Sequence, residues 1–239
     1  GSQSCMNKLL IALDVDDRAR ALSLVDDLKD IVGGFKVGSQ LFLSEGPEII
    51  ETLTAQGARI FLDLKFHDIP NTVANTVSAA VKMGVWMLTV HTMGGIDMLR
   101  AAEKAAIDSA KMTKHTKPII VGVTVLTSHN PENLPALGIT RPLTSQVKSL
   151  ALMAKEAGLD GVVCSPLEAA SLREQCGQDF VLVTPGIRSH HSTTQDDDQK
   201  RTLGPSEALR AGSNYLVVGR PVIAAQDPRA AAKEIVSQL

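Results

Sequence analysis

The sequence predicts an α/β protein, a single-domain (β/α)8 TIM barrel, on three observations. Eight short apolar segments alternate with amphipathic ones at a mean spacing of about thirty residues, the rhythm of parallel βαβ units. Apolar residues make up 44% of the chain while aromatics are only 3%, so the core is built from Val, Ile, Leu and Ala, as a parallel sheet covered by helices is. Polar residues collect at the carboxyl ends of the apolar segments, where a barrel assembles its active site. Eight such units close most naturally on themselves, with a doubly wound open sheet as the alternative. A chain of 239 residues without a linker-like break suits one domain, predicted over 7–239. Residues 1–6 read as a tag remnant and N-terminal extension.

The elements follow in order. Residues 8–15 (KLLIALDV) form the first strand. Over 17–31, Ala21, Leu24, Val25, Leu28 and Ile31 recur at helical spacing, and Gly33-Gly34 stops that helix. Residues 35–38 are the second strand and 39–56 its helix. The third strand is 59–65, and its helix starts near Pro70, a residue suited to a first helical turn. Strand four is 86–90 with a helix over 95–112. Strand five is 118–125, followed by a polar loop at 127–141 and a helix near 142–156. Strand six is 159–164 with a helix over 166–175. Strand seven is 180–183, followed by a loop at 189–204 and a short helix at 205–211. Strand eight is 214–218, and a last helix covers 226–238.

Composition excludes several classes of partner. The formal charge is -2 and no dense basic run occurs, which argues against nucleic acid or an anionic membrane. No apolar stretch approaches the ~18 residues of a membrane span, and no signal peptide precedes the first strand, so the expected localisation is cytoplasmic. Three cysteines, Cys5, Cys164 and Cys176, lack metal-type spacing and suit a reducing compartment. Cys164 ends an apolar strand and reads as core packing.

The stretch Phe61 to Thr72 (FLDLKFHDIPNT) organises the functional reading. Asp63 and Lys65 stand two residues apart on a strand, which puts them on one face, with Asp68 just beyond. Buried charge costs several kcal/mol unless paired, so a plain core strand would not carry them. The other strand ends supply Asp14, Lys36, His91, Thr127, Ser165, Arg188 and Arg220. His91 suits a satisfied core histidine as well as a site residue, and His67 reads as structural in the turn, so neither enters the predicted site. Gly186 to Arg188 and Gly219-Arg220 form a candidate phosphate cradle, with glycines permitting close approach and an arginine fork matched to phosphate oxygens. The loop at 189–204 is too long for a plain connection and is expected to act as a lid, with Gln199 a contact.

The run from Asp63 to Thr72 contains a D-x-K-x-x-D signature in a form that resembles the orotidine 5'-phosphate decarboxylase family, in its bacterial type. The similarity extends through residues 13–16, 36–38, 125–128, 159–165, 184–188 and 218–221. It implies conversion of orotidine 5'-monophosphate to UMP and CO2 in pyrimidine biosynthesis, with no cofactor and no metal. It also implies a homodimer in which Asp68 and Thr72 reach into the partner's site. By the same correspondence Lys36, Asp63, Lys65 and Asp68 form a catalytic charged array, and Asp14 and Lys36 hold the ribose. Thr127 or Ser128 holds the pyrimidine, and Arg188, Gln199, Gly219 and Arg220 hold the phosphate. The lid segment 189–198 is longer than the family pattern, which leaves Gln195 as the alternative to Gln199.

Loss of CO2 from C6 of the pyrimidine leaves electrons in the ring plane, outside the π system, where no carbonyl absorbs them. Preorganised charge is then the means of stabilisation, with Lys65 set to face the carbanion and protonate it. Asp63 would face the substrate carboxylate, and two such charges about 3 Å apart at an effective dielectric near 20 repel by roughly 5 kcal/mol. Three rivals are weighed. A Mg2+-dependent sugar-phosphate enzyme of the hexulose-phosphate synthase type is expected to offer a carboxylate where this chain has Lys36. A Schiff-base aldolase needs an unprotonated Lys65, which flanking carboxylates oppose. A non-catalytic nucleotide-phosphate binder has no need of Asp63 and Lys65 together.

Overall fold

The computed structural model describes residues 8–126, 128–187 and 203–239. Its strands are β1 Leu9–Ala12, β2 Gly34–Gly38, β3 Ile60–Phe66, β4 Met87–His91, β5 Ile119–Val123, β6 Gly161–Val163, β7 Val181–Thr184 and β8 Tyr215–Val218. They pair in parallel, each with the next, and β1 pairs with β8 (Leu10 beside Val217) to close the barrel. The open-sheet alternative is therefore excluded.

Alternation along the strands divides the core in two. Leu10, Ala12, Phe61, Met87, Val121, Val183 and Val217 pack against one another as the filling of the barrel. Residues one step away, such as Ile11, Leu62, Leu88 and Val218, join the larger cluster packed with the helices. This is the layered interior of a barrel, a packed core and not a pore. Gly161 fits this filling because a Cβ there would collide with the Val181 carbonyl. At the base of the barrel Trp86 meets Tyr215 edge-on at 5.1 Å, and the Arg59 guanidinium lies 4.1 Å from the Trp86 ring centre.

The helices are α1 Arg18–Leu28, α2 Ser39–Glu45, α3 Glu48–Ala55, α4 Pro70–Lys82, α5 Ile96–Thr113, α6 Leu143–Glu156, α7 Ala169–Cys176, α8 Pro205–Arg210, α9 Arg220–Ile223 and α10 Pro228–Ser237. Their starts follow local chemistry. The Asp17 carboxylate accepts from the Arg20 N–H at 2.8 Å to cap α1, and Asp227 accepts from Ala230 at 3.1 Å to cap α10. Three expectations are corrected. The single helix over 39–56 is two, because Gly46 takes a left-handed φ of 78° and Pro47 follows, lacking a backbone donor. Gly34 does not stop a helix: α1 ends at Leu28, and Gly34 opens β2. The short helix α9 was not expected from the sequence.

Candidate active site

Following the interior-facing positions upward shows where packing gives way to charge. On β3 the inward series runs Phe61, Asp63 and on β4 Met87, Thr89, His91; Lys36 stands inward on β2 beside Phe61. Above the layer containing Phe61 and Met87, the barrel is therefore polar. There the Asp63 carboxylate receives two ammonium groups. Lys36 Nζ donates to Oδ2 at 3.3 Å, and Lys65 Nζ lies 3.1 Å from both Oδ1 and Oδ2. The Thr89 hydroxyl donates to Oδ1 at 2.8 Å. The three charged side chains are graded in exposure, with Asp63 at 11%, Lys36 at 20% and Lys65 at 40%. Burial raises the Asp63 pKa and is the largest single influence on it. The charges of Lys36 and Lys65, helped by the Thr89 and Lys65 hydrogen bonds, outweigh burial and hold the carboxyl below its ordinary value.

Lys65 reaches Asp63 by a route that simple strand alternation does not describe. Its backbone is left-handed, with φ 51°. Leu62 pairs with Leu88 and Phe66 with Val90, so four steps along β3 span two along β4 and the strand bulges between them. The predicted proximity of Asp63 and Lys65 is found, and the bulge is its physical cause. A non-glycine residue in this region is held at a cost of order 1–3 kcal/mol, a cost typical of functional sites.

This array closes one end of a cavity of about 190 Å³, whose other walls are apolar side chains including Val123, Leu126, Val163, Val183 and Val217, with Ser128 at the rim. Cation and carboxylate thus face a chamber walled mainly by apolar side chains, where their fields are less screened than in bulk water. Among the described residues no group of three His, Cys, Asp or Glu side chains has the arrangement of a metal site.

The remaining predicted residues fall into three groups. Asp14 is exposed at the end of β1, and its Oδ2 lies 3.4 Å from where a Cβ on Gly219 would stand, so Gly219 keeps the top of β8 open beside Asp14. Gly219 leads directly into α9, whose first residue is the exposed Arg220. Asp68 and Thr72 are exposed around the start of α4. The Asp68 carboxylate accepts from the Ile69 N–H at 2.7 Å, and among the described residues no bond or ion pair joins it to Asp63 or Lys65. Thr127, Arg188, Gln195 and Gln199 lie outside the described residues, as does Cys5.

Three further side chains lie close to the array, outside the predicted site. Thr89 lies inside an apolar strand, and the signal that singles it out is its place two positions before His91, on the same face. His67 and His91 stack, with ring centres 5.2 Å apart. His91 Nδ1 accepts from the Met93 N–H, and burial, then the charges of His67 and Lys65, lower its pKa. Cys164 is core packing as expected: burial pushes its thiol up to about 12, and Thr184 Oγ1 is 3.8 Å away.

A parallel eight-stranded barrel carrying a Lys–Asp–Lys array at the carboxyl end of its strands has the design of a barrel enzyme. Residues 7–235 match the model of the orotidine 5'-phosphate decarboxylase / HUMPS family, and the chain belongs to that family. It is 49% identical to the orotidine 5'-phosphate decarboxylase of Moorella thermoacetica, over 98% of this chain and 92% of that one. To that of Saccharophagus degradans it is 48% identical, over 97% and 94%. The crystal structure of orotidine 5'-phosphate decarboxylase from Lactobacillus acidophilus superimposes with a TM-score of 0.84 at 40% identity, covering 96% of this chain and 97% of that one.

Proposed function

We propose that this protein decarboxylates orotidine 5'-monophosphate to UMP and CO2, a step of pyrimidine biosynthesis, as a cytoplasmic homodimer. The observation that carries the reading is the Asp63 carboxylate held between Lys36 and Lys65 at the end of an apolar chamber. The chamber suits a flat pyrimidine, with Ser128 or Thr127 to bond its edge. Asp63 stands against the substrate carboxylate and favours its loss. Lys65 stabilises the C6 carbanion and delivers the proton to C6. Lys36 holds Asp63 ionised and, with Asp14, bonds the ribose. The side chain of Arg220, beside the open backbone at Gly219, joins Arg188 and Gln199 in holding the phosphate, whose binding energy helps assemble the array. Asp68 and Thr72, exposed at the start of α4, complete the site of the partner subunit.

The Mg2+-dependent rival needs a carboxylate at the position of Lys36. There the ammonium lies 3.3 Å from Asp63 and would repel a divalent cation. The test is the loss of orotidine 5'-monophosphate absorbance in buffer with excess EDTA. Turnover is the expected result. No turnover, with activity on a pentulose phosphate and formaldehyde once Mg2+ is added, would move the assignment to the synthase side of the family. Silence in both assays would leave a nucleotide-phosphate binder.

A further inference from the structure

Thr89, which bonds directly to the array, is fully buried at 0% exposure. A buried hydroxyl needs partners, and this one has two of opposite kind. It donates to Asp63 Oδ1 at 2.8 Å and accepts from the backbone N–H of Lys65 at 2.9 Å. The two partners are the residues whose relative placement the chemistry depends on. They sit either side of Leu64 in the bulged part of β3, where the ordinary ladder with β4 is interrupted between Leu62 and Phe66. The Lys65 N–H therefore lacks the strand partner that a regular sheet would give it, and its backbone is left-handed at φ 51°. A side-chain oxygen from β4 takes the place of that partner.

We infer that Thr89 is a positioning residue: its hydroxyl clamps the β3 bulge, holding the Asp63 carboxylate and the Lys65 backbone in one fixed relation. The inference rests on the decarboxylase reading for its catalytic consequence, and on geometry alone for the clamp. Thr89 touches no reacting atom; it acts through Asp63 and Lys65. Its methyl group and branch fit the apolar strand, so Val keeps the shape and removes only the hydroxyl, leaving a buried N–H unpaired. Ser keeps the hydroxyl and loses only the methyl.

The experiment compares wild type with Thr89→Val and Thr89→Ser, first checked for a folded barrel by circular dichroism. Two readouts are taken. In orotidine 5'-monophosphate turnover, Thr89→Val is expected to lose about 10²-fold in kcat with little change in KM, as displacement of a catalytic group by about 1 Å does, while Thr89→Ser stays within about threefold of wild type. In amide hydrogen exchange, the Lys65 N–H of Thr89→Val is expected to exchange about tenfold faster or more, with the Leu62 amide unchanged. Unchanged Lys65 exchange would overturn the clamp whatever the activity. So would a loss in Thr89→Ser as large as that in Thr89→Val. A Thr89→Val enzyme with wild-type kcat would overturn the catalytic consequence. A wild type silent on the nucleotide, with Lys65 exchange altered as expected, would remove the decarboxylase reading and leave the clamp supported.

Discussion

Lys65 occupies a backbone conformation that L-residues avoid, and the site keeps it there. Replacing it with glycine should release that cost, whereas alanine should keep it. Lys65→Gly is therefore expected to unfold in urea about 1 kcal/mol less readily than Lys65→Ala, because at φ 51° glycine has no Cβ to crowd. Equal stabilities would mean that the bulge relaxes once the ammonium is gone. Both variants should fold and lose about 10³-fold or more of turnover, since they remove the proposed proton donor. Asp63 makes a prediction in pH. Its folded pKa lies below the ordinary 3.8, so the stability it contributes is complete above that value and is lost as pH falls through the lower folded one. The wild-type unfolding free energy should thus fall more steeply below about pH 4 than that of Asp63→Asn. Parallel slopes would show that Lys36 and Lys65 do not hold the carboxyl down.

At the scale of elements, two ends of the barrel do different work. The top is bulged and charged. The base is tied, in part by Arg173 of α7. Its guanidinium donates through Nη1 to the carbonyls of Gly177 and Phe180 at 2.7 and 2.6 Å, and through Nη2 to Gly212 O and Asn214 Oδ1, both at 2.7 Å. Those four acceptors belong to the segments entering β7 and β8, the strands that carry the proposed phosphate cradle at their far ends. Arg173→Ala should cost about 3 kcal/mol of stability by leaving carbonyls unpaired, with Arg173→Lys recovering little because one ammonium lacks the planar fork. Urea unfolding measures both. A cost below about 1 kcal/mol would mean that water replaces the guanidinium.

For the whole molecule, the reading that Asp68 and Thr72 serve the partner's site gives a complementation test. Asp68 is exposed, and among the described residues it is not paired to Asp63 or Lys65. Asp68→Ala and Lys65→Ala, each nearly inactive alone, should regain about a quarter of wild-type turnover when mixed and allowed to exchange subunits, since half the dimers then hold one intact site of two. No recovery after exchange, verified by a tagged subunit, would place Asp68 in its own subunit's site. No helix among the described residues is long and apolar enough to cross a membrane.

Much of this was legible in the sequence, because burial imposes periodicity. Eight apolar runs at regular spacing determined the strand count and the parallel barrel, and the polar residues interrupting their ends determined Lys36, Asp63 and Lys65 as a group. The break at Gly46-Pro47 is a turn signal in the sequence, but the apolar residues on both sides share one helical pattern that masks it. Tertiary structure decided the rest. Thr89 looked like part of an apolar strand until β4 was set beside a bulged β3, and only that pairing gave its hydroxyl two partners. His67 and His91, separated by a whole helix, became neighbours only when β3 and β4 paired. The alternation rule correctly put Asp63 beside Lys65, yet the contact is made through a left-handed residue that alternation does not contain. Periodicity is a local property of the chain, so the sequence by itself determined which residues face inward. A bulge is a mismatch between two strands, so which atoms meet was decided only when both were in place.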